Sequence, residues 1–317
     1  MKTIAQDQKN LIDSLVAEGI TALPDVILEK DVHVTDVLHA ISRIEHKGIE
    51  LVFCGGTSLS KAHDLIERMS EDIDLKVVVR DGHGLSGTGL KNHLSALKGA
   101  VIAELKSMGF EFIEAESKAR NSNRYFASGW LYQSMYQGHS SLRPHLSLEF
   151  TVRAPRFATT KMPISYLIDQ LAQREGETVD MSCIAVEETL AEKVLSFLRR
   201  HAEHRAGVRT DWDEALVRHV YDTYCIVRSG PSIVGRAAEH FPELVAFDVE
   251  EFPNHAEFAA DPKKCMAQAL TVAETEAQTR SEYDVRLQPL IYGSIRPNFD
   301  EAFAVFKATA EKLLATL

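Results

Sequence analysis

No stretch of this sequence is suited to lie across a bilayer, because no run of about 18 apolar residues occurs in it. Cysteine is scarce and scattered. Cys54, Cys183, Cys225 and Cys265 stand far apart, with no CxxC and no zinc-ribbon spacing, as expected of small buried hydrophobes in a reducing compartment. Basic charge is not in excess: 35 Lys and Arg face 46 Asp and Glu, a formal net charge of −11. That balance excludes a protein that coats nucleic acid by charge alone, but not a confined basic groove on an acidic body. Internal repeats and low-complexity tracts are missing. The opening residues, MKTIAQDQKNLIDSLVAEG, have no apolar h-region, and the expected location is cytoplasmic.

What is present is an ordinary globular balance. The chain has 317 residues, 45% of them apolar and 26% charged, enough for one large domain or two ordinary ones with a substantial core. Helical spacing marks Leu11, Leu15 and Val16, then Val34, Val37, Leu38, Ile41 and Ile44. Leu51–Cys54 reads as a strand ending at Gly55-Gly56. A helix is predicted over Thr57–Arg68 with Thr57 or Ser58 as its N-cap. Asp72–Val79 reads as a second strand. A glycine-rich loop, Gly82–Gly89, then leads to a helix near Leu90–Met108, and Phe110–Ile113 has strand character. Leu146–Val152 alternates, with Leu146, Leu148 and Phe150 on one face and Ser147, Glu149 and Thr151 on the other. Beyond residue 180 helical spacing takes over, so the expected organisation is a mixed domain over 1–180 and a helical domain over 181–317.

One block concentrates the chemistry: Gly55-Gly56-Thr57-Ser58-Leu59-Ser60-Lys61, then Arg68-Met69-Ser70-Glu71-Asp72-Ile73-Asp74-Leu75. Its first half is a strand, a glycine bend and a helix start. Glycines let a phosphate approach the backbone, the helix start offers free N–H groups, and Thr57 and Ser58 add hydroxyls. Its second half is Asp-x-Asp on a strand. Side chains two apart share a face, so Asp72 and Asp74 project together while Ile73 points to the core. Adjacent carboxylates repel unless a cation lies between them, and an oxygen-only donor set favours Mg²⁺ or Mn²⁺. Either half alone has a bland explanation, a turn or an exposed strand edge. One intervening helix lets the two halves meet, which is the logic of metal-assisted phosphoryl or nucleotidyl transfer.

GGTSLSK followed by RMSEDIDL resembles the AbiEii/AbiGii-type nucleotidyltransferases, which include the MenT group of toxins within the DNA polymerase β-like nucleotidyltransferase superfamily. The likeness is specific over 51–79. It is looser at VEETLAEKVLSFLRR (186–200) and RHVYD (218–222), and 228–317 carries no usable motif. The resemblance implies an α+β fold: a nucleotidyltransferase-type mixed β-sheet flanked by helices, then a helical C-terminal domain closing an active-site cleft. It implies that Gly55, Gly56, Thr57, Ser58 and Lys61 hold the triphosphate, and that Asp72, Asp74 and a third carboxylate bind the divalent ions. Glu149 is the choice for the third, from its place on the alternating strand, although many superfamily members have Asp there. Lys193 is implied near the nucleotide phosphates, with an ion pair to Glu192 or Glu188 as the ordinary alternative. Asp222 is implied to orient Lys193 or the nucleotide, with an i,i+4 pair to Arg218 as its alternative.

Three patterns are set aside. Gly82-His83-Gly84-Leu85-Ser86-Gly87 matches GxGxxG, but the strand before it already carries Asp-x-Asp, and a loop is the better reading. Gly55–Lys61 imitates a P-loop, yet Ser60 and Ala62 stand where Gly and Ser/Thr are required. His201-x-x-His204 lacks a third ligand and reads as part of a polar helix. Basic groups at Arg199, Arg200, Arg205 and Arg209, at Lys118, Arg120 and Arg124 near Tyr125, Trp130, Tyr132 and Tyr136, and at Arg143, Arg153, Arg156 and Lys161 suit an RNA end as acceptor, or equally a solvated surface over an aromatic core.

The expected activity is transfer of a nucleoside monophosphate from an NTP to an acceptor hydroxyl. The resemblance implies the tRNA 3′ end as acceptor and a toxin–antitoxin setting with a cognate antitoxin protein as partner. A small-molecule (aminoglycoside-like) or protein hydroxyl is the alternative acceptor, and a non-catalytic nucleotide-binding protein is the alternative from another class.

Overall fold

The computed structural model describes residues 1–80, 87–138 and 142–317. The loop read at Gly82–Gly89, with its GxGxxG, lies mostly outside the described residues. The chain divides into two compact units. One comprises Met1–Asp64 and Met69–Ile184; the other comprises Leu65–Arg68 and Ala185–Leu317. Leu65–Arg68, although embedded in the first stretch, therefore belongs with the second unit.

The first unit is built on a mixed sheet. Its strands are β1 (Ile49–Cys54), β2 (Asp72–Val79), β3 (Glu111–Arg120), β4 (Tyr125–Leu131), β5 (His145–Val152), β6 (Thr160–Ile164) and β7 (Val179–Cys183), in the order β3-β4-β5-β2-β1-β7-β6. β2 pairs parallel with β5, β1 pairs parallel with β7, and the remaining neighbours are antiparallel. Helices α1 (Gln6–Ala17), α2 (Asp25–Ser42), α3 (Gly55–Lys61), α4 (Gly87–Ser107) and α5 (Leu167–Leu171) accompany it.

The expected alternation holds along the strands. Ile73, Leu75 and Val77 of β2, with Leu146, Leu148 and Phe150 of β5, join Val34, Val37, Leu38 and Ile41 of α2 and Leu90, Leu94, Leu97, Val101 and Leu105 of α4 in one apolar core. Fully burying a side chain of this size contributes about 1.5–3 kcal/mol before conformational entropy is subtracted. A one-residue slip of β2 would turn this whole set out of the core, so the core fixes which face carries Asp72 and Asp74. They lie on the sheet face opposite α2 and α4.

α2 is buried nearly all round, including Glu29, Lys30, Asp31 and His33. The charges of Glu29, Lys30 and Asp31 are tolerated because each has a partner. Glu29 accepts from the Met135 amide at 2.7 Å and from the Ser134 hydroxyl, Lys30 pairs with Glu71 at 2.5 Å, and Asp31 pairs with Lys61 at 2.7 Å.

Three local expectations are corrected. The helix after the glycine bend is short: α3 spans Gly55–Lys61, begins two residues earlier than predicted with Cys54 as N-cap, and places Thr57 and Ser58 inside it. The chain turns at Asp64 (φ +50°). Leu65–Arg68 then pairs within the second unit, through an Arg68–Ile291 bridge and a 2.9 Å bond from the Tyr292 amide to the Glu67 carbonyl. β3 runs to Arg120, well past the predicted Ile113, because its charged half is held in a hairpin with β4 at the sheet edge, where charge is favoured. β4, β6 and β7 had no clear sequence signal; β7 is five residues long and carries Asp180.

The second unit is helical: α6 (Val186–Arg205), α7 (Arg218–Ser229), α8 (Ile233–Glu239), α9 (Phe241–Glu251), α10 (Ala256–Ala260), α11 (Pro262–Thr275), α12 (Ala277–Glu282) and α13 (Phe299–Leu314). Aromatic packing of Phe197 against Phe306 (ring centroids 4.7 Å apart) and of Phe299 against Phe303 (5.1 Å) marks its core. No described helix is long and apolar enough to cross a membrane.

Candidate active site

β1 ends at Cys54, and Gly55 takes φ +77° to swing the chain into α3. A side chain there would be strained by the backbone and would also collide: a Cβ on Gly55 would sit 2.2 Å from Asp74 Oδ2. The Asp74 carboxylate therefore lies directly over the glycine bend. Register explains why, since Asp74 is opposite Cys54 on the antiparallel side and opposite Glu149 on the parallel side. In-register neighbours point to the same face, so Asp74 and Glu149 share it, and Asp72 and Ser147 lie beside them.

Each carboxylate is already engaged. Arg143 Nη1 donates to Asp72 Oδ1 at 2.7 Å, and the Tyr125 hydroxyl donates to Glu149 Oε2 at 2.9 Å. Burial and the adjacent Glu149 charge raise the Tyr125 phenol, so it remains a donor. Arg143 is itself anchored: its amide donates to Glu71 at 3.0 Å, its carbonyl accepts from Lys30 at 2.6 Å, and Lys30 and Glu71 form a buried pair. Among the described residues, Asp72, Asp74 and Glu149 are not gathered to within 4.8 Å of one another. Their hard oxygen donors on one sheet face nevertheless fit a magnesium-type cation in chemistry.

The other residues singled out from sequence are placed as follows. The Thr57 hydroxyl is spent on the fold, donating to the Asp72 carbonyl and sharing a hydrogen bond with the Ser70 hydroxyl (2.9 Å), which ties α3 to the start of β2. Ser58 is buried beside the Cys183 thiol. Lys61 does not join the carboxylates: it is buried against Asp31 (2.7 Å) and donates to the Ser165 carbonyl at 3.3 Å.

Lys193 and Asp222 are brought together in the second unit, 2.6 Å apart. Their ordinary alternatives do not describe Asp222, which is fully buried. It also accepts two bonds from Arg68, Nε to Oδ1 at 2.7 Å and Nη2 to Oδ2 at 2.6 Å. Burial alone would raise the Asp222 carboxyl; the Arg68 guanidinium and the Lys193 ammonium outweigh it and hold the group far below the usual carboxylate range. Asp222 thus holds two cations, Arg68 and Lys193, on one buried carboxylate.

Sequence reasoning missed several members. Lys76 follows Asp72 and Asp74 on the same face and is buried, and the Asp-x-Asp-x-Lys alternation was the signal. Tyr125 and Arg143 were read from sequence only as part of a surface for an RNA end; their bonds to Glu149 and Asp72, and the Lys30–Glu71 pair, had no local signal, because the partners lie 24, 71 and 41 residues away.

The basic groups divide. Arg199 is buried between Glu203 (2.6 Å) and Asp248 (3.0 Å) under the Phe252 ring, and Arg200 and Arg209 both pair with Asp213, so this group is largely neutralised. Nor is His201 part of a polar surface; it is fully buried and bonded to Glu276 at 2.9 Å. Lys118, Arg120 and Arg124 are exposed, and Arg120 lies 5.9 Å from the centre of the Tyr125 ring. Trp130 is wholly in the core.

A mixed sheet that sets an Asp-x-Asp strand against a strand–glycine bend–helix is the construction of a nucleotidyltransferase. The fold is shared with MenT4, a nucleotidyltransferase toxin from Mycobacterium tuberculosis H37Rv, at a TM-score of 0.54 and 18% identity over 97% of this chain and 88% of that one. JHP933 from Helicobacter pylori aligns at a TM-score of 0.40 and 14% identity, over 90% of this chain and 93% of its own. Among curated proteins none matches. The chain belongs to the nucleotidyl transferase AbiEii toxin family of type IV toxin–antitoxin systems, whose family model matches residues 38–305.

Proposed function

We propose that this chain transfers a nucleoside monophosphate from an NTP to the 3′-terminal hydroxyl of tRNA, and that the modification blocks translation until a cognate antitoxin intervenes. The observation that carries the reading is the seating of Asp74 over the Gly55 bend, with Glu149 beside it in register. Asp72, Asp74 and Glu149 are the residues that would hold Mg²⁺. Bound there, the ion would neutralise the α-phosphate and stabilise the leaving pyrophosphate.

The chain's own groups account for the rest. The acceptor oxygen forms a bond to the α-phosphorus as the bond to the β-phosphate bridging oxygen breaks. The acceptor proton passes to the Glu149 carboxylate, which Tyr125 orients by its hydrogen bond. Arg143 holds Asp72 and has the fork chemistry to exchange that carboxylate for a phosphate. Lys193 is assigned to the β- and γ-phosphates, with Asp222 orienting it. Exposed Lys118, Arg120 and Arg124 beside Tyr125 suit the backbone of an RNA end.

The test is incubation of the purified protein with each α-labelled NTP, Mg²⁺ and total tRNA, with aminoglycosides and cell protein in parallel. Label is expected on the tRNA 3′ end, and Asp74→Asn is expected to reduce it by about 10²–10³-fold or more. Label on a drug or a protein alone would transfer the reading to the alternative acceptors. No label anywhere, with NTP binding retained, would leave a nucleotide-binding protein.

A further inference from the structure

Cys265 follows His255 by ten positions, and the turn between α10 and α11 brings them together. Cys265 Sγ lies 3.9 Å from His255 Nε2. One ligand atom each from His255, Glu257 and Cys265 lies within 4.8 Å of the others, the tightest such trio among the described residues. His255 is 1% exposed, and its ring is set by stacking on Phe258, with centroids 5.8 Å apart and planes at 17°. Its Nδ1 is buried without a partner, and the contact of its Nε2 with the Cys265 sulfur is long, at 3.9 Å. A buried imidazole with no ordinary hydrogen bond is costly and calls for a missing partner.

We propose that His255, Glu257 and Cys265 form a zinc site, separate from the carboxylates of the first unit. Sulfur and imidazole ligands select zinc over the hard cations that an oxygen-only set takes. Zn–S and Zn–N bonds at a tetrahedral angle put sulfur and nitrogen about 3.5 Å apart, a few tenths closer than they stand here. The exposed Glu257 supplies the third bond, and water fills the fourth position. Burial pushes the free Cys265 thiol up to about 11, so zinc binding converts it to thiolate and releases one proton to solvent. The site staples the entry of α10 to the first turn of α11. α10 is only five residues long, too short to be stable alone.

The full-length protein, stripped with a chelator, is titrated with Co²⁺ and then with Zn²⁺. One tight equivalent is expected, with a thiolate-to-cobalt charge-transfer band that Zn²⁺ displaces and a rise in Tm on zinc addition. Cys265→Ser should abolish the band. Glu257→Gln, a change at an exposed side chain, should weaken zinc about 10-fold or more, and Cys225→Ser should alter neither. Absence of the band in the wild-type protein, or unchanged zinc affinity in Glu257→Gln, overturns the proposal. Should Cys265→Ser fail to fold by circular dichroism, the wild-type cobalt spectrum and Glu257→Gln decide.

Discussion

Replacing Gly55 with alanine tests the contact on which the proposed chemistry depends. The new methyl group would lie 2.2 Å from Asp74 Oδ2, 3.0 Å from its Cγ and 3.1 Å from its Cβ. Turning the carboxylate alone does not relieve this, because the inner atoms are also crowded. The carboxylate oxygen must retreat by about 1 Å, and a misplacement of that size costs about 10²-fold in rate. The backbone adds about 1–2 kcal/mol for an L-residue in the left-handed region, at a position whose φ is +77°. A domain with an ordinary stability of about 5–15 kcal/mol survives that loss. Gly55→Ala should therefore fold, lose little stability and lose most of its activity. Labelled-NTP turnover and urea unfolding are measured on the same preparation. Gly99→Ala is the control: it lies within α4, its Cβ would meet nothing within 4 Å, and it should be slightly stabilising with full turnover. If Gly55→Ala turned over within about threefold of wild type, the seating of Asp74 against the bend would not matter to the chemistry and the reasoning would fail.

Asp222→Asn leaves Arg68 and Lys193 buried without their carboxylate, and should cost about 3–5 kcal/mol by denaturant unfolding; a loss under about 1 kcal/mol would contradict the assigned network. Because the folded Asp222 carboxyl is depressed, its contribution is fully present above the unfolded value of about 3.9 and fades as pH falls through and below it, so wild type should lose this increment in acid and Asp222→Asn should not. His33, buried against Tyr132 with both ring nitrogens unpartnered, is lowered to about 4 by burial. The unfolded chain therefore binds its proton first, and stability should fall by about 3 kcal/mol as pH drops from about 6.5 to 4; His33→Phe should flatten that stretch of the pH–stability curve, and an unaltered curve would count against the assignment. Tyr125→Phe removes one bond to Glu149, worth about 0.5–1.5 kcal/mol, and should slow turnover up to about 10-fold with NTP affinity unchanged.

Much of the candidate site was legible because it is local. The Asp-x-Asp strand, the alternation around Glu149 and the glycine bend each depend on a few adjacent residues, and the strand β2 spans the predicted Asp72–Val79. Lys61 shows where such reading stops. Its place in the GGTSLSK run suggested a phosphate ligand, but its partner Asp31 lies on α2 and its other acceptor 104 residues downstream. The helix predicted to Arg68 failed for a similar reason. Local propensity over 62–68 was overruled by pairing with residues 291 and 292.

By itself, the amino-acid order determined which side chains share a face, where the chain must bend, and the family to which the motif block belongs. Those properties follow from backbone geometry repeating over two to four residues. Only the tertiary structure decided that β5 would lie beside β2 and so set Glu149 against Asp74, that Arg68 would close on Asp222 from 154 residues away, and that His255 and Cys265 would face each other. Strand order and buried ion pairs are chosen by the whole core at once, through the burial of apolar surface and the need to satisfy every buried charge, and no short window of sequence carries that choice.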